Sequence, residues 1–500
     1  MTTTAAAVRH HEGTPVALIT ITVMLGLIMA IIDTTIVNVA ISTIGGNLGA
    51  TVDQVAWVAT GYILANVVVM PLNGWLTALL GRKTFYATSL AFFTIASFLC
   101  GTAHTIGLLV FYRIIQGIGG GALQPTAQAI MFETFPPERR GSAMAIFGMG
   151  AMVGPAIGPL LGGWIVDNAS WPLIFYINVP IGIVAFLMTL AFIPDPKYIA
   201  KPKGGIDWIG LGLLTAGLAS LQFVLEQGER DEWFASQAIQ ICTVISVSAL
   251  IAFIVKSLRD RHPIVDLKVF KFRSFSVGSF LGIIMGFGLY GTALILPLFF
   301  QTLLGFTAYD TGLALMPGAL STAVSMLIIG RILNRIDGRW SIVFGMLVFA
   351  WSTWLLGGLS VQAGYWDVFW PRVVQGFALG FLFVPLTTIS LADVPVPEMA
   401  GATGVFTLLR QLGGSLGIAI LTTMLTHQTA VAWNVLASGV TQTHGLSVGQ
   451  LTQLVSQQSA MIAYNYLFRV TAIVFVITTP LVFLIKRQST VPAPALAGAD

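Results

Sequence analysis

Asp33 is the one ionisable side chain between Glu12 and Asp53, and it interrupts an apolar run from about Val16 to Ala40. A run of that length crosses a bilayer, and a charge inside it costs on the order of 3 kcal/mol or more. Such a residue is expected to face protein or water and to serve as a proton or cation site. Arg113 is a candidate partner. Asp33 lies about seven residues from the outer end of the first span and Arg113 about six residues into the fourth, so at 1.5 Å per residue both stand roughly 10 Å deep. Equal depth permits an ion pair between neighbouring helices. A guanidinium and burial act on a carboxyl in opposite directions, so a small rearrangement would switch its protonation. The alternative is a fixed pair that only locks two helices together.

Other polar groups accompany this pair. Asn38, Tyr62, Asn66, Gln116 and Gln124 lie within spans near the same depth, and Gln301 lies at the outer end of the ninth span. With Tyr290, Arg372 and Gln375 and a share of the Phe, Met and Trp residues, they are candidates to line an amphipathic cavity. Gly150, Gly154, Gly158 and Gly162 recur at every fourth position, with Pro155 and Pro159 between them. That spacing puts the glycines on one helix face, where a second helix can approach closely, and the prolines remove backbone hydrogen bonds and allow bending. Glu226 is a second acid, but its neighbours Glu229, Asp231 and Glu232 favour a solvated outer surface.

The elements that must hold these residues follow from composition. The 500 residues are 56% hydrophobic and 9% charged, against about 25% charged in soluble proteins. Apolar runs long enough to cross a membrane recur throughout, so the fold class is an all-α polytopic membrane protein. Fourteen spans are expected, near 16–40, 54–75, 84–102, 107–130, 142–165, 172–193, 207–226, 237–256, 276–299, 311–331, 340–361, 367–389, 401–424 and 464–485. Of the 24 lysines and arginines, only Arg230 falls in an outer loop and only Arg113, Arg372, Arg410 and Arg469 fall inside spans when both termini are cytoplasmic. The rest lie on the inner side, which fixes the orientation.

The two ends of the chain resemble each other at an offset of about 257 to 260 residues. Arg113, Gln116 and Gly117 match Arg372, Gln375 and Gly376; Asp53 and Gly61 match Asp310 and Gly318; Gly154 matches Gly414. The position matching Asp33 is Tyr290, so a proton site would exist in the first half only. Arg372 is left with two readings, substrate contact or packing against polar backbone. Two parallel repeats of six helices with two helices inserted between them are the plan of a secondary transporter. The expected boundaries are 1–195 for the first bundle, 196–275 for the inserted helices and a basic cytoplasmic linker, and 276–500 for the second bundle with a long outer loop at 425–463.

That outer loop has no Asp, Glu, Lys or Arg and places Leu451, Leu454, Val455 and Gln458 at helical spacing, suiting a hairpin cap or a docking surface. The inner segment 257–275 mixes Ile264, Val265, Leu267 and Phe270 with Lys268, Lys271 and Arg273 and reads as an amphipathic stretch on an anionic leaflet. No phosphate-binding loop is present, which argues against ATP as the energy source. Gly117-Ile-Gly119-Gly-Gly-Ala122 lies inside a span with no strand before it, and the two Gly-x-Ser-x-Gly matches lack a strand–turn–helix context, so no enzyme is expected. Cys100 and Cys242 give neither a disulfide framework nor metal spacing, and neither a metal, a cofactor nor a nucleic-acid partner is expected.

Several runs resemble the major facilitator superfamily, and within it the fourteen-span, EmrB/QacA-like drug:proton antiporters. "Asp33-Thr-Thr-Ile-Val-Asn38-Val-Ala" resembles the first-span signature, and "Arg113-Ile-Ile-Gln116-Gly117" the fourth-span motif tied to proton coupling. "Gly154-Pro155-Ala-Ile-Gly158-Pro159-Leu-Leu-Gly162-Gly163" resembles the antiporter motif, and "Trp171-Pro-Leu-Ile-Phe-Tyr-Ile-Asn178-Val-Pro180-Ile-Gly182" is also typical. "Gly74-Trp-Leu-Thr-Ala78-Leu-Leu-Gly81-Arg82-Lys83" resembles the loop motif after span two, except that Ala78 stands where the superfamily often has Asp. The charge contact that helps hold the outward-facing state is then weaker or built otherwise. The resemblance implies a proton-driven multidrug exporter of hydrophobic or cationic compounds, working by alternating access in the bacterial inner membrane, powered by the proton gradient with no cofactor. Around "His262-Pro-Ile-Val-Asp266-Leu" and in the last outer loop it implies a periplasmic adaptor protein and an outer-membrane channel, for a Gram-negative source. Export of one dedicated metabolite or antibiotic is the alternative within the class. A channel or a non-transporting membrane scaffold is the alternative outside it.

Overall fold

In the computed structural model, which describes residues 15–196, 207–260, 263–439 and 447–487, all regular structure is helical. The first group of helices is α1 (Val16–Leu48), α2 (Val52–Val69), α3 (Asn73–Leu80), α4 (Arg82–Gly101), α5 (Ile106–Thr134), α6 (Arg140–Asn168), α7 (Leu173–Tyr176) and α8 (Asn178–Phe192). Then come α9 (Trp208–Gln227) and α10 (Gln237–Arg259). The last group is α11 (Arg273–Leu298), α12 (Ala308–Ile332), α13 (Gly338–Leu356), α14 (Tyr365–Ala392), α15 (Met399–Gly439) and α16 (Val448–Thr478). Among the described residues, 13 helical segments are long and apolar enough to cross a membrane. They coincide with all the expected spans but 142–165, which falls within the 29-residue helix α6. The termini, Lys197, Lys201, Lys203, His262 and the side chains of Pro155 and Pro159 lie outside the described residues.

Local sequence explains the element ends. Thr51 with Gln54 and Thr307 with Asp310 form capping boxes that start α2 and α12 at their outer ends, satisfying backbone N–H groups that the helix leaves free. Pro71 sits in a 3-10 turn, Met70–Leu72, that separates α2 from α3, because proline cannot continue the helical hydrogen-bond ladder. The glycine face of α6 meets α1. A Cβ at Gly154 would stand 2.2 Å from Ile31 Cγ2 and one at Gly158 2.0 Å from Thr35 Oγ1, while Gly150 faces Met24 and Gly162 faces Ile36. The Thr35 hydroxyl donates to the Gly154 carbonyl at 3.0 Å across this seam. The partner of the glycine face is therefore the helix that carries Asp33.

The two helical groups meet on the basic, inner side. Gly74 lies against the Gly401 backbone, so close that a Cβ would be 2.6 Å from Gly401 Cα. Asn73 Nδ2 donates to the Ala400 carbonyl at 2.8 Å, and the Thr126 hydroxyl donates to Asn73 Oδ1 at 2.5 Å. Ser142 donates to the Gly330 carbonyl at 3.0 Å, Asn334 donates to the Glu138 carbonyl, and Thr407 donates to Gln128 Oε1 at 3.2 Å. These amide, hydroxyl and backbone contacts join the two groups at this end. On the outer side α9 leans against both groups. Trp57 of α2 stacks on Phe223 at 5.8 Å and Asp53 pairs with Arg230, while Gln222 donates to Ser415 of α15 at 2.7 Å.

Four expectations are corrected. Within the segment expected as a loop, 425–463, the described residues are mostly helical: α15 continues to Gly439 and α16 starts at Val448. At 41 residues α15 is about 60 Å long, twice the roughly 30 Å hydrocarbon thickness, so both helices stand out of the membrane. Likewise α1 extends to Leu48, beyond the expected end near Ala40. The inner segment 263–275 tucks Ile264, Val265 and Val269 into the protein core, each 3–4% exposed, rather than laying them on a leaflet; the Ser257 hydroxyl bonding the Val265 carbonyl holds it there. Glu226 is half-buried and accepts from Gln222 at 2.8 Å, so it belongs to the contact between α9 and α15 and not to open surface.

Two outcomes follow. Gly154→Leu overfills the seam between α1 and α6 and should destabilise the protein by about 1–3 kcal/mol, read as a lower midpoint of thermal unfolding in detergent; an unchanged midpoint would contradict the seam. Gly74→Val should hold the inner clasp apart, so spin labels at Arg139 and Arg335 should show longer distances than in the unsubstituted protein; an unaltered distance distribution would show that closure does not depend on this contact.

Candidate functional site

The acid in the first span lies at the centre of a polar cluster inside the first helical group. Asp33 Oδ2 accepts from Arg113 Nη1 at 2.6 Å. Its Oδ1 accepts from Gln116 Nε2 at 2.9 Å and from Asn178 Nδ2 at 2.8 Å. Arg113 also donates through Nε to the Val58 carbonyl at 3.0 Å and through Nη1 to Gln116 Oε1 at 2.6 Å. Its guanidinium carbon lies 4.3 Å from the centre of the Tyr62 ring and 5.7 Å from that of Phe175. Asn178 donates further to Ser97 at 3.1 Å, and Ser97 to the Phe175 carbonyl at 2.9 Å. Six helices, α1, α2, α4, α5, α7 and α8, thus contribute to one cluster.

Asp33 and Gln116 are 0% exposed, and Arg113 and Asn178 1%. A buried ion pair survives only when its remaining donors and lone pairs are met, and here they are met by Gln116, Asn178 and Val58. The arrangement also restricts where a proton can go. Protonating Asp33 Oδ2 turns an acceptor into a donor facing the Arg113 N–H, so the proton and that contact exclude each other. Arg113 keeps other acceptors, Val58 and Gln116, and the face of Tyr62, so it need not be abandoned when the acid is neutralised. In this arrangement Asp33 is sealed from solvent.

The repeat reproduces the framework without the acid. Arg372 Nη1 donates to Gln375 Oε1, as Arg113 does to Gln116, but Gln375 Nε2 turns to Thr353 at 3.2 Å. Tyr290, at the position matching Asp33, packs its ring over Gly414 of α15. Among the described residues, no acid pairs with Arg372.

The residues expected to line one cavity are divided by the structure. Tyr62, at 2% exposure, and Gln116 belong to the buried cluster around Asp33, and Gln375, at 0%, to the matching cluster; their side chains are drawn in by Arg113 and Thr353 and do not line open space. Asn38 and Gln301 are exposed, and Asn66, Gln124, Tyr290 and Arg372 are half-buried. Asn178 and Ser97 were not anticipated as site residues. Asn178 stands within the Trp171–Gly182 run noted above, and an amide in an apolar stretch was the available signal. Cys100, expected to be plain core, points its Sγ at Gln116 Oε1 from 3.7 Å.

Comparison with known proteins agrees with this architecture. The family profile described as the Major Facilitator Superfamily matches residues 23–418. The chain is 36% identical to the multidrug export protein EmrB of Escherichia coli strain K12, over 95% of this chain and 96% of that one. It is 35% identical to the fatty acid resistance protein FarB of Neisseria gonorrhoeae, over 95% and 97% of the two chains. Among solved structures, the proton:xylose symporter XylE superposes with a TM-score of 0.65 at 12% identity, covering 95% of this chain and 97% of that one. The human organic anion transporter MFSD10 gives 0.61 at 14% identity, covering 92% and 99%. With a membrane-embedded acid–arginine pair, a glycine seam beside it and this extent of similarity, the chain belongs to the major facilitator superfamily, in its EmrB/QacA-like drug:proton antiporter family.

Proposed function

We propose that this protein exports hydrophobic or cationic compounds in exchange for protons, by alternating access, with Asp33 as the proton carrier and Arg113 as the group that releases and recaptures it. The observation that carries the reading is the fully buried Asp33–Arg113 contact, 2.6 Å long, in a chain whose two halves are joined on the inner side. A proton arriving from outside neutralises Asp33 and frees Arg113 toward Val58, Gln116 and Tyr62. The ion pair that ties α1 to α5 is then lost, and α1 can shift along its glycine seam with α6. Opening inward lets the proton leave and substrate enter; re-formation of the pair resets the cycle. No cofactor is needed, because the proton gradient supplies the work.

The likeness to EmrB over almost the whole chain supports the multidrug reading, and the bacterial inner membrane is the setting it suggests. The narrower alternative, export of one class of compound, draws support from the likeness to FarB, a protein named for fatty acid resistance. The outward extensions of α15 and α16 expose Val435 at 66% and Leu454 at 45%, and these apolar positions support docking of a periplasmic adaptor that hands cargo to an outer-membrane channel.

Asp33→Asn keeps the shape and one acceptor oxygen of the side chain but cannot cycle a proton. It should insert at normal levels and lose pH-driven efflux of a fluorescent cation from everted vesicles. Undiminished proton-coupled efflux by that variant would falsify the mechanism. In the unsubstituted protein, uphill efflux should collapse on adding a protonophore, whereas a channel would show no uphill movement to collapse.

A further inference from the structure

Arg410 has no place in the cycle just described, yet it is a buried arginine with an unpartnered nitrogen. It lies about 16 Å along α15 from Met399, well inside the span, and is 2% exposed. Among the described residues it makes no ion pair, and its Nη1 is buried with no hydrogen-bond partner. A buried charge without a counter-charge is strongly unfavourable, more so at membrane depth. Arg372, whose Nε is also without a partner, adds a second cation to a half whose span interiors hold no acid. The second half therefore carries uncompensated positive charge where the first carries a neutral pair.

The surroundings place Arg410 at the junction of the halves. Its guanidinium lies 5.3 Å from the centre of the Phe383 ring. That ring stacks on Phe147 of α6 at 6.4 Å and closes on Gly148, so Arg410 sits just behind the contact that must separate when the protein opens inward. The Tyr290 ring covers Gly414, one turn farther out on the same helix. A cation on the Phe383 ring, with the Tyr290 ring one turn farther along the helix, fits the acidic head of an amphipathic molecule whose apolar part lies on the rings.

We propose that Arg410 is the specificity-determining residue for anionic substrates: it receives the carboxylate of an amphipathic acid, with Phe383 and Tyr290 against the adjoining apolar part. This rests on the export reading above and names a substrate class within it. A carboxylate supplies the missing counter-charge through two charge-assisted hydrogen bonds in the plane of the guanidinium.

The test uses purified full-length protein in proteoliposomes under an imposed pH gradient, with decanoate and decyltrimethylammonium as probes of equal chain length. The wild type should transport both. Arg410→Gln should lower the ratio of decanoate to decyltrimethylammonium transport by about ten-fold or more, the loss of at least one charge-assisted contact. Arg410→Lys, which keeps the charge but not the fork, should restore part of that ratio. An unchanged ratio in Arg410→Gln, or equal loss of both probes in the Gln and Lys variants, would overturn the proposal. Should Arg410→Gln fail to insert, the ratio in Arg410→Lys decides: a selective fall for decanoate supports the assignment, and no fall rejects it. Wild-type transport of the cation but not of decanoate removes the anion site and leaves the export reading standing; transport of neither removes both. Inorganic phosphate and vesicles rich in phosphatidylglycerol are the competing sources of an oxyanion, and inhibition of decanoate transport by either in place of competition among carboxylates would assign the charge to phosphate binding.

Discussion

A carboxylate and a guanidinium held in contact inside a membrane bundle constrain everything around them. Neither can be exposed to lipid, and neither can be left alone. Asp33 and Arg113 meet this demand by drawing in Gln116, Asn178 and the Val58 carbonyl. The helices that supply those groups are thereby fixed relative to one another for as long as the charge persists. The chemistry of the pair and the rigidity of the first half are one fact. The contacts that meet the charge are the same contacts that join these helices in the resting arrangement.

The internal repeat gives the two halves a common backbone and different electrostatics. Arg-x-x-Gln recurs, and the arginine bonds the glutamine in both places. Glycines again let helices approach closely, as where Gly413 and Gly417 lie against Ile283 and Phe287. Yet Tyr290 replaces the acid, and Arg410 stands where the first half has Gly150. Folding imposes the symmetry, since close packing of helices in lipid depends on small residues and shape. The charges depart from it: the first half buries an acid–arginine pair, and the second buries Arg410 without an acid among the described residues.

The sequence made the framework and the central pair legible for physical reasons. A lone acid in an apolar run, an arginine at matching depth and glycines at a spacing of four all carry their meaning locally. Asn178 and Ser97 did not, because their importance depends on which helices lie beside α1, and that is decided by packing between segments far apart in the chain. Tyr62 and Gln116 were assigned to a cavity because their polarity and depth were visible, while the direction in which their side chains turn was not. The helical character of 425–439 was hidden by the expectation that a helix ends where the membrane does. The inner clasp was anticipated only as a gap at Ala78; the hydrogen bond of Asn73 to a backbone carbonyl 327 residues away in the chain has no sequence signature.

The unbroken course of α15 from Met399 to Gly439 makes it a lever. Gly439 stands about 43 Å beyond Arg410 along the same rigid rod. A tilt of about ten degrees around mid-membrane would sweep the tip through about 7 Å, a displacement far larger than any shift at the pivot. Any tilt of α15 is thus magnified at its tip, well outside the lipid, so a small change at membrane depth becomes a large one at the surface.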